Sequence, residues 1–161
     1  MTIRKSIKTD LARIAEIYEY ARAYMRQTGN PDQWKDNHPP LEAIEADIRN
    51  GVSYVCIDGD KILAVFFFTT VPDPTYTVID GEWLNDEPYG VIHRIARAEG
   101  AGGVGAFCMN WCYEQIPNLR IDTHQDNAPM IKVLENLGFV RCGIIWLENG
   151  EERVAFQKCS R

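Results

Sequence analysis

Apolar side chains recur along this chain at two spacings, every second residue or every third to fourth, and the switches between them divide it into elements. Residues 2 to 8 are short and alternating and read as an opening strand. Behind the cap-type residues Thr9 and Asp10, the positions Leu11, Ile14, Ala15, Ile17, Tyr18, Ala21, Tyr24 and Met25 keep a helical rhythm until Gly29-Asn30-Pro31 stops it. Pro39-Pro40 opens a second, shorter helix over Leu41 to Arg49, closed by Asn50-Gly51. Ser53 to Ile57 and Lys61 to Thr70 are strand-like, and Asp58-Gly59-Asp60 between them signals a hairpin. A turn-rich, acidic stretch follows from Pro72 through Pro88.

The second half alternates strands and helices. Tyr89 to Arg97 reads as a strand, and it runs into the cluster Gly100-Ala101-Gly102-Gly103-Val104-Gly105. Val104, Phe107, Cys108, Trp111 and Cys112 then mark one buried stripe of a helix. Leu119 to His124 is the next strand. Asp126-Asn127-Ala128-Pro129 starts a helix carrying Met130, Ile131, Val133, Leu134 and Leu137, with Gly138 just past its end. Two further strands, Val140 to Leu147 and Arg153 to Gln157, flank Asn149-Gly150, a type I′ hairpin signal. The order β-α-α-β-β-β-α-β-α-β-β predicts a mixed α+β fold. Phe66-Phe67-Phe68 reads as core on both faces of a central strand.

The chain has 161 residues, close to the size of one domain, so a single domain over 1–161 is expected. With 17 Lys and Arg against 23 Asp and Glu, its net charge is −6. An acidic chain lacks the excess cations that displace counterions from a nucleic-acid backbone, so no nucleic-acid partner is expected. The longest apolar run, Ile62 to Phe68, has seven residues, against the ~20 of a membrane span. No secretory signal is read behind Met1-Thr2-Ile3-Arg4-Lys5-Ser6. Cys56, Cys108, Cys112, Cys142 and Cys159 are odd in number and scattered among apolar neighbours, which suits free thiols in a reducing cytoplasm. Cys108 and Cys112 lie one helical turn apart, but nothing nearby completes a ligand set, so no metal is expected.

The glycine cluster changes the picture most. A strand leading into GAGGVG and then a helix places several backbone N–H groups at a positive helix N-terminus, and the missing Cβ atoms let an anion approach closely. A phosphate or pyrophosphate is the ligand this chemistry favours. Gly100, Gly102 and Gly105 with Asp122 at the end of the next strand also satisfy a dinucleotide fingerprint. Against that reading, His93, Arg94, Arg97 and Glu99 interrupt what should be an almost continuously apolar buried strand. The fingerprint would also normally open its domain, and the chain closes in a hairpin rather than in further βα units. No Gly-Lys-Ser/Thr follows, which removes a nucleoside triphosphate loop.

These residues resemble the GCN5-related N-acetyltransferase (GNAT) superfamily. Its cofactor loop, Arg/Gln-x-x-Gly-x-Gly/Ala, is matched in its second half by Gly103-Val104-Gly105, while Gly100 stands where a long polar side chain is usual. Asn127 followed by a short helix ending Leu137-Gly138-Phe139, and Ile3-Arg4 with Asp10-Leu11 at the start, extend the resemblance over nearly the whole chain. It implies an α+β mixed sheet whose fourth and fifth strands, Tyr89–Arg97 and Leu119–His124, splay apart around acetyl-CoA, with helices on both faces. It also implies pyrophosphate on backbone N–H groups of Gly100, Gly102, Gly103, Val104, Gly105 and Ala106, pantetheine along Ile95 and Arg97, and a cofactor contact at Asn127.

The reaction implied is direct attack of a primary amine on the thioester. An alkyl ammonium with a pKa near 10.4 must first lose a proton. Tyr89, Val91 and His93 share a strand face by alternation, and His93 is the side chain there of a type that titrates near neutrality. His93 is the candidate base or water relay, with Glu82, and Asp80 beside it, as a carboxylate relay; a packed structural histidine is the competing reading. Asp122 could pair with Arg94, and His124 shares its strand face. Leu134 stands where relatives carry a proton-donating Tyr, leaving Cys142, Tyr113 or water for that role. Tyr24, Trp34 and Tyr89, with Tyr20, Met25 and Gln33 near them, are candidates for the acceptor pocket. The acidic Asp80–Glu87 loop leans toward a cationic amine, and exposed edges near the C-terminal hairpin would let a homodimer form. A non-catalytic acyl-CoA sensor of the same fold is the alternative, and a dinucleotide oxidoreductase the third.

Overall fold

Alternation and helical periodicity translate into strands and helices much as the pattern predicts, in a computed structural model that describes residues 1–35 and 37–160. Among these, eight strands form one mixed sheet: β1 (Thr2–Lys5), β2 (Ser53–Asp58), β3 (Lys61–Thr69), β4 (Asp80–Gly81), β5 (Gly90–Arg97), β6 (Asn118–Thr123), β7 (Val140–Trp146) and β8 (Glu152–Cys159). Their spatial order is β1-β2-β3-β5-β6-β8-β7-β4. The helices are α1 (Leu11–Gln27), α2 (Leu41–Arg49), α3 (Val104–Gln115) and α4 (Ala128–Asn136). Ile14, Ile17, Tyr18 and Ile44 of α1 and α2 pack with Val55, Val65 and Ala96 on one face of the sheet. Cys108, Met109, Cys112 and Leu134 of α3 and α4 pack with Phe66, Phe68, Ile92, Leu119, Ile121 and Phe156 on the other. Phe67 alternates to the opposite face from its neighbours and lies against His93.

Three local readings are corrected. The opening strand stops at Lys5, and Asp10, the N-cap residue of α1, makes no side-chain capping bond to it: its carboxylate takes Arg4 through two bonds of 2.8 and 3.1 Å and the Ile7 N–H at 2.8 Å, closing the 3₁₀ turn of residues 8–10. The acidic stretch hides β4, which pairs with β7 through Gly81 and Gly143; a Cβ on Gly81 would meet the Cys142 carbonyl oxygen, so two glycines let the strands approach. The β7–β8 hairpin is not the predicted type I′ turn. Its closing bond runs from the Leu147 N–H to the Glu151 carbonyl (2.9 Å), Gly150 alone is left-handed at φ 86°, and Asn149 instead turns its side chain back onto the Glu151 N–H (3.0 Å).

The opening that matters lies between β5 and β6. These parallel strands pair only at Gly90–Leu119 and Val91–Arg120 and then separate. On its other side β5 bonds to β3, and the register slips between Val65 and Phe67 because β5 carries an extra residue there. Arg94, at φ 50°, is the non-glycine residue of β5 held in left-handed geometry, the mark of a bulge that bends the strand away from β6.

Candidate active site

Past Val91, the β6-facing backbone edge of β5 has no strand partner, and the gap widens into two hollows of about 350 and 450 Å³. Met25, Ile95, Asn127 and Met130 line both, so the two hollows adjoin along the cleft with these residues at its waist. The glycine loop closes one end and His93 stands at the other.

At the glycine end, Gly103 sits at φ 78° and starts α3, a conformation any Cβ would strain. The first helical turn bond runs from the Phe107 N–H to Gly103 (3.2 Å), so the N–H groups of Val104, Gly105 and Ala106 have no acceptor inside the helix. A Cβ built on Gly102, Gly103 or Gly105 would meet no atom within 4 Å; it would stand in the open hollow these residues line. Val104 turns its side chain into the core, and Gly100, at φ 77°, bends the chain without lining the hollow. No described acidic residue lines this end, and Arg97 is its cation. A backbone cradle, a single guanidinium and no competing carboxylate fit a diphosphate, and the open edge at Ile95 and Arg97 fits an extended amide arm. Asn127 caps α4 through Met130 N–H (3.2 Å) while its amide donates to Gln33 (2.9 Å), so one side chain fixes the helix start and faces both hollows.

At the other end, His93 Nε2 lies 2.6 Å from Asp73 Oδ2. Asp73 also accepts from the Thr75 N–H (2.8 Å) and hydroxyl (2.7 Å). Burial alone would raise its carboxyl, but these hydrogen bonds, that of His93 foremost, outweigh it and hold the group at about 2. An ionised carboxylate only accepts, so Nε2 carries the ring hydrogen and Nδ1 of the neutral imidazole keeps its lone pair. Nδ1 faces Asp122 Oδ2 at 3.8 Å, too far for a hydrogen bond. Asp122 is itself held by the buried Tyr76 hydroxyl at 2.7 Å; burial and this carboxylate push the Tyr76 phenol well above its usual range, so it stays a donor.

The structure therefore gives His93 different carboxylates from those predicted. β4 carries Asp80 to the far edge of the sheet, Glu82 follows it there exposed, and no residue of the 80–87 loop lines either hollow. Asp122 does not pair with Arg94, which binds Asp47 at 2.8–3.1 Å, and His124 lies beyond β6 with Nδ1 accepting the Asp126 N–H at 3.0 Å. Tyr89 supports Asp73 from behind, its hydroxyl accepting the Asp73 N–H at 3.2 Å and its ring lying 4.0 Å from the Arg120 guanidinium, and it lines neither hollow. Tyr24 belongs to the glycine end, its ring 5.3 Å from the Arg97 guanidinium, whereas Trp34 lines the His93 end while packing edge-on against Tyr18. Leu134 is wholly buried. Cys142 and Tyr113 line neither hollow, the first on β7 beyond β8, the second under Lys158. Asp73 was missed although Pro72-Asp73-Pro74-Thr75 has the form of a side-chain-closed turn. Arg153, also missed, is a buried charge near the start of β8 and lines the His93 end.

The sheet thus opens between two parallel strands, with a glycine cradle on one side of the gap and an imidazole–carboxylate pair on the other. Solved structures share this fold. An acetyltransferase of the GNAT family from Streptococcus agalactiae is 30% identical, with 99% of this chain and 95% of that one aligned at a TM-score of 0.88. A GNAT-family acetyltransferase from Listeria monocytogenes is 18% identical over 98% of this chain and 93% of its own, with a TM-score of 0.71. The yncA protein of Salmonella typhimurium, solved with its cofactor acetyl-CoA, is 16% identical over 99% and 94%, with a TM-score of 0.64. No protein-family profile and no curated protein matches the sequence. The chain belongs to the GNAT family of acetyltransferases.

Proposed function

We propose that this acetyltransferase moves the acetyl group of acetyl-CoA to a primary amine, with His93 as the base. The observation that carries the reading is the adjacency of the two hollows: an anion cradle lines one, a carboxylate-held imidazole lines the other, and Met25, Ile95, Asn127 and Met130 line both. Gly102, Gly103, Val104, Gly105 and Ala106 would hold the diphosphate through N–H groups, and Ile95 and Arg97 the arm, with Asn127 at the waist. Bound acetyl-CoA supplies a thioester carbonyl that an uncharged amine attacks directly.

The remaining work falls to the protein. Asp73 fixes the ring of His93 so that Nδ1, facing the cleft, takes a proton from the incoming ammonium. A neutral amine results, and an imidazolium between Asp73 and Asp122 is stabilised by both carboxylates. As the new C–N bond forms and the C–S bond breaks, the nitrogen's second proton is lost and the departing thiolate gains one. Solvent relays it, since Leu134 has none to give and neither Cys142 nor Tyr113 lines the cleft.

Free thiol measured after mixing the protein with acetyl-CoA and a panel of primary amines tests this directly. Amine-dependent release is expected, and His93→Ala should cut it by about 10²-fold or more while acetyl-CoA still raises the melting temperature. Stabilisation by acetyl-CoA without thiol release from any amine would replace this reading with that of a non-catalytic acyl-CoA sensor.

A further inference from the structure

Most charges facing the His93 end of the cleft are matched. Asp73 is taken by His93 and Thr75, Arg94 by Asp47, and Lys35 and Glu151 stand 3.9 Å apart. Two are not. Arg153, only 5% exposed, donates to the Glu152 carbonyl (2.8 Å) and the Gln33 carbonyl (3.3 Å) and forms no ion pair among the described residues. A guanidinium has five N–H donors and keeps its charge throughout the physiological range. Nη1 and Nη2 each make one of these bonds and Nε is not an isolated buried atom, so the side chain has donors left over where it lines the His93 end. Asp122, for its part, accepts only the Tyr76 hydroxyl among the described residues, and its nearest basic atom there is His93 Nδ1 at 3.8 Å.

The sheet sets the distance between these two charges. Asp122 of β6 is directly opposite Ala155 of β8, and Arg153 lies two residues along β8 on the same face. The pair are thus diagonal neighbours, about 7 Å apart at their Cβ atoms, near enough to serve one small molecule yet not bonded to each other. A burial cost is incurred by an unpaired guanidinium in such a place unless something anionic meets it.

We infer that the acceptor is a zwitterion, an amine that itself carries a carboxylate, as a free amino acid does. Its carboxylate docks on Arg153, and its ammonium stands between Asp122 and His93 Nδ1, the atom that removes the proton. A polyamine or other purely cationic acceptor is disfavoured, because Arg153 repels it. This inference rests on the proposed acetylation of an amine and adds the class of amine.

The test uses matched ligands on the intact protein: the twenty common L-amino acids and the α-carboxamide of each, scored by thiol release with acetyl-CoA and by melting temperature in the presence of CoA. For every compound turned over, the acid is expected to exceed its carboxamide at least tenfold in kcat/KM, and only the acid should raise the melting temperature. Arg153→Gln should reduce that preference to within about threefold, while stabilisation by acetyl-CoA alone persists as evidence of folding. Equal use of acids and amides by the unaltered protein overturns the zwitterion assignment and leaves amine acetylation standing. Absence of thiol release with every compound returns the acetylation reading to the wider amine panel, and the carboxylate site is then decided by the melting temperatures alone: stabilisation by acids and not amides supports it, and no difference ends it.

Discussion

Asp73 illustrates how one side chain can decide what its neighbour does. Pro72 and Pro74 stiffen the turn, Thr75 gives the carboxylate two donors, and Tyr89 accepts the Asp73 N–H, so the group that faces His93 is held before any ligand arrives. Its effect on the ring is to choose which nitrogen keeps the lone pair. Asp73→Asn preserves shape but removes the charge, allowing the amide to accept from or donate to Nε2 and so releasing the tautomer. We expect kcat/KM to fall by about 10²–10⁴-fold, as when the carboxylate partner of a catalytic histidine is neutralised elsewhere, with the affinity for acetyl-CoA unchanged. A drop in acetyl-CoA affinity with kcat intact would show that Asp73 shapes the cleft instead of orienting the imidazole. The residue also shows what a sequence conceals: alternation places His93 on a cleft-facing strand, but its partner lies 20 positions away in an irregular turn, where no periodicity points. Glu82, near in sequence to the same strand, was the better candidate until topology carried β4 to the opposite edge.

At the scale of elements, long periodic segments were readable because burial of one face specifies them: α1, α2, the β2–β3 hairpin, β5 and α3 all fall within a few residues of their predicted limits. Short or two-sided features were not. β4 has two residues and no hydrophobic face of its own, and the bulge at Arg94 depends on β3 rather than on local sequence. The glycine turn that opens α3 was legible for a different reason, since several glycines at a strand-to-helix junction suit backbone left open to close approach. Gly105 offers the cleaner test of that function, because it lies outside the left-handed region that makes Gly103 intolerant of any side chain. A valine there would project into the hollow without meeting another atom within 4 Å of its Cβ. Gly105→Val should therefore leave the melting temperature of the free protein within a few degrees while weakening acetyl-CoA binding by about tenfold or more, roughly 1.4 kcal/mol. Titration calorimetry showing unaltered affinity would mean the first turn of α3 is not the anion cradle.

For the molecule as a whole, acid should loosen the wall of the cleft before it reaches Asp73. His38 packs on Trp34 at the His93 end, and burial first, then the surrounding guanidinium groups of Arg94, Arg153 and Arg22, lower its ring to about 4. An unfolded histidine titrates near 6.5, so between those values the unfolded chain binds a proton that the folded chain resists. Stability due to His38 is complete above pH 6.5 and is lost progressively as the pH falls toward 4. Asp73 behaves alike on a lower window: its carboxyl, ordinarily at 3.8, is held at about 2, so its contribution survives until the pH passes below the first value and disappears through the second. The loss on acidification from these two groups is thus expected in two stages, the earlier from His38 in the wall and the later from Asp73. Melting temperatures recorded from pH 7.5 to 4 should decline for the unaltered protein, with His38→Gln declining less, so that the two curves converge or cross as the pH drops. Parallel curves would show that neither burial nor the surrounding guanidinium groups hold the ring below its usual range in the folded state.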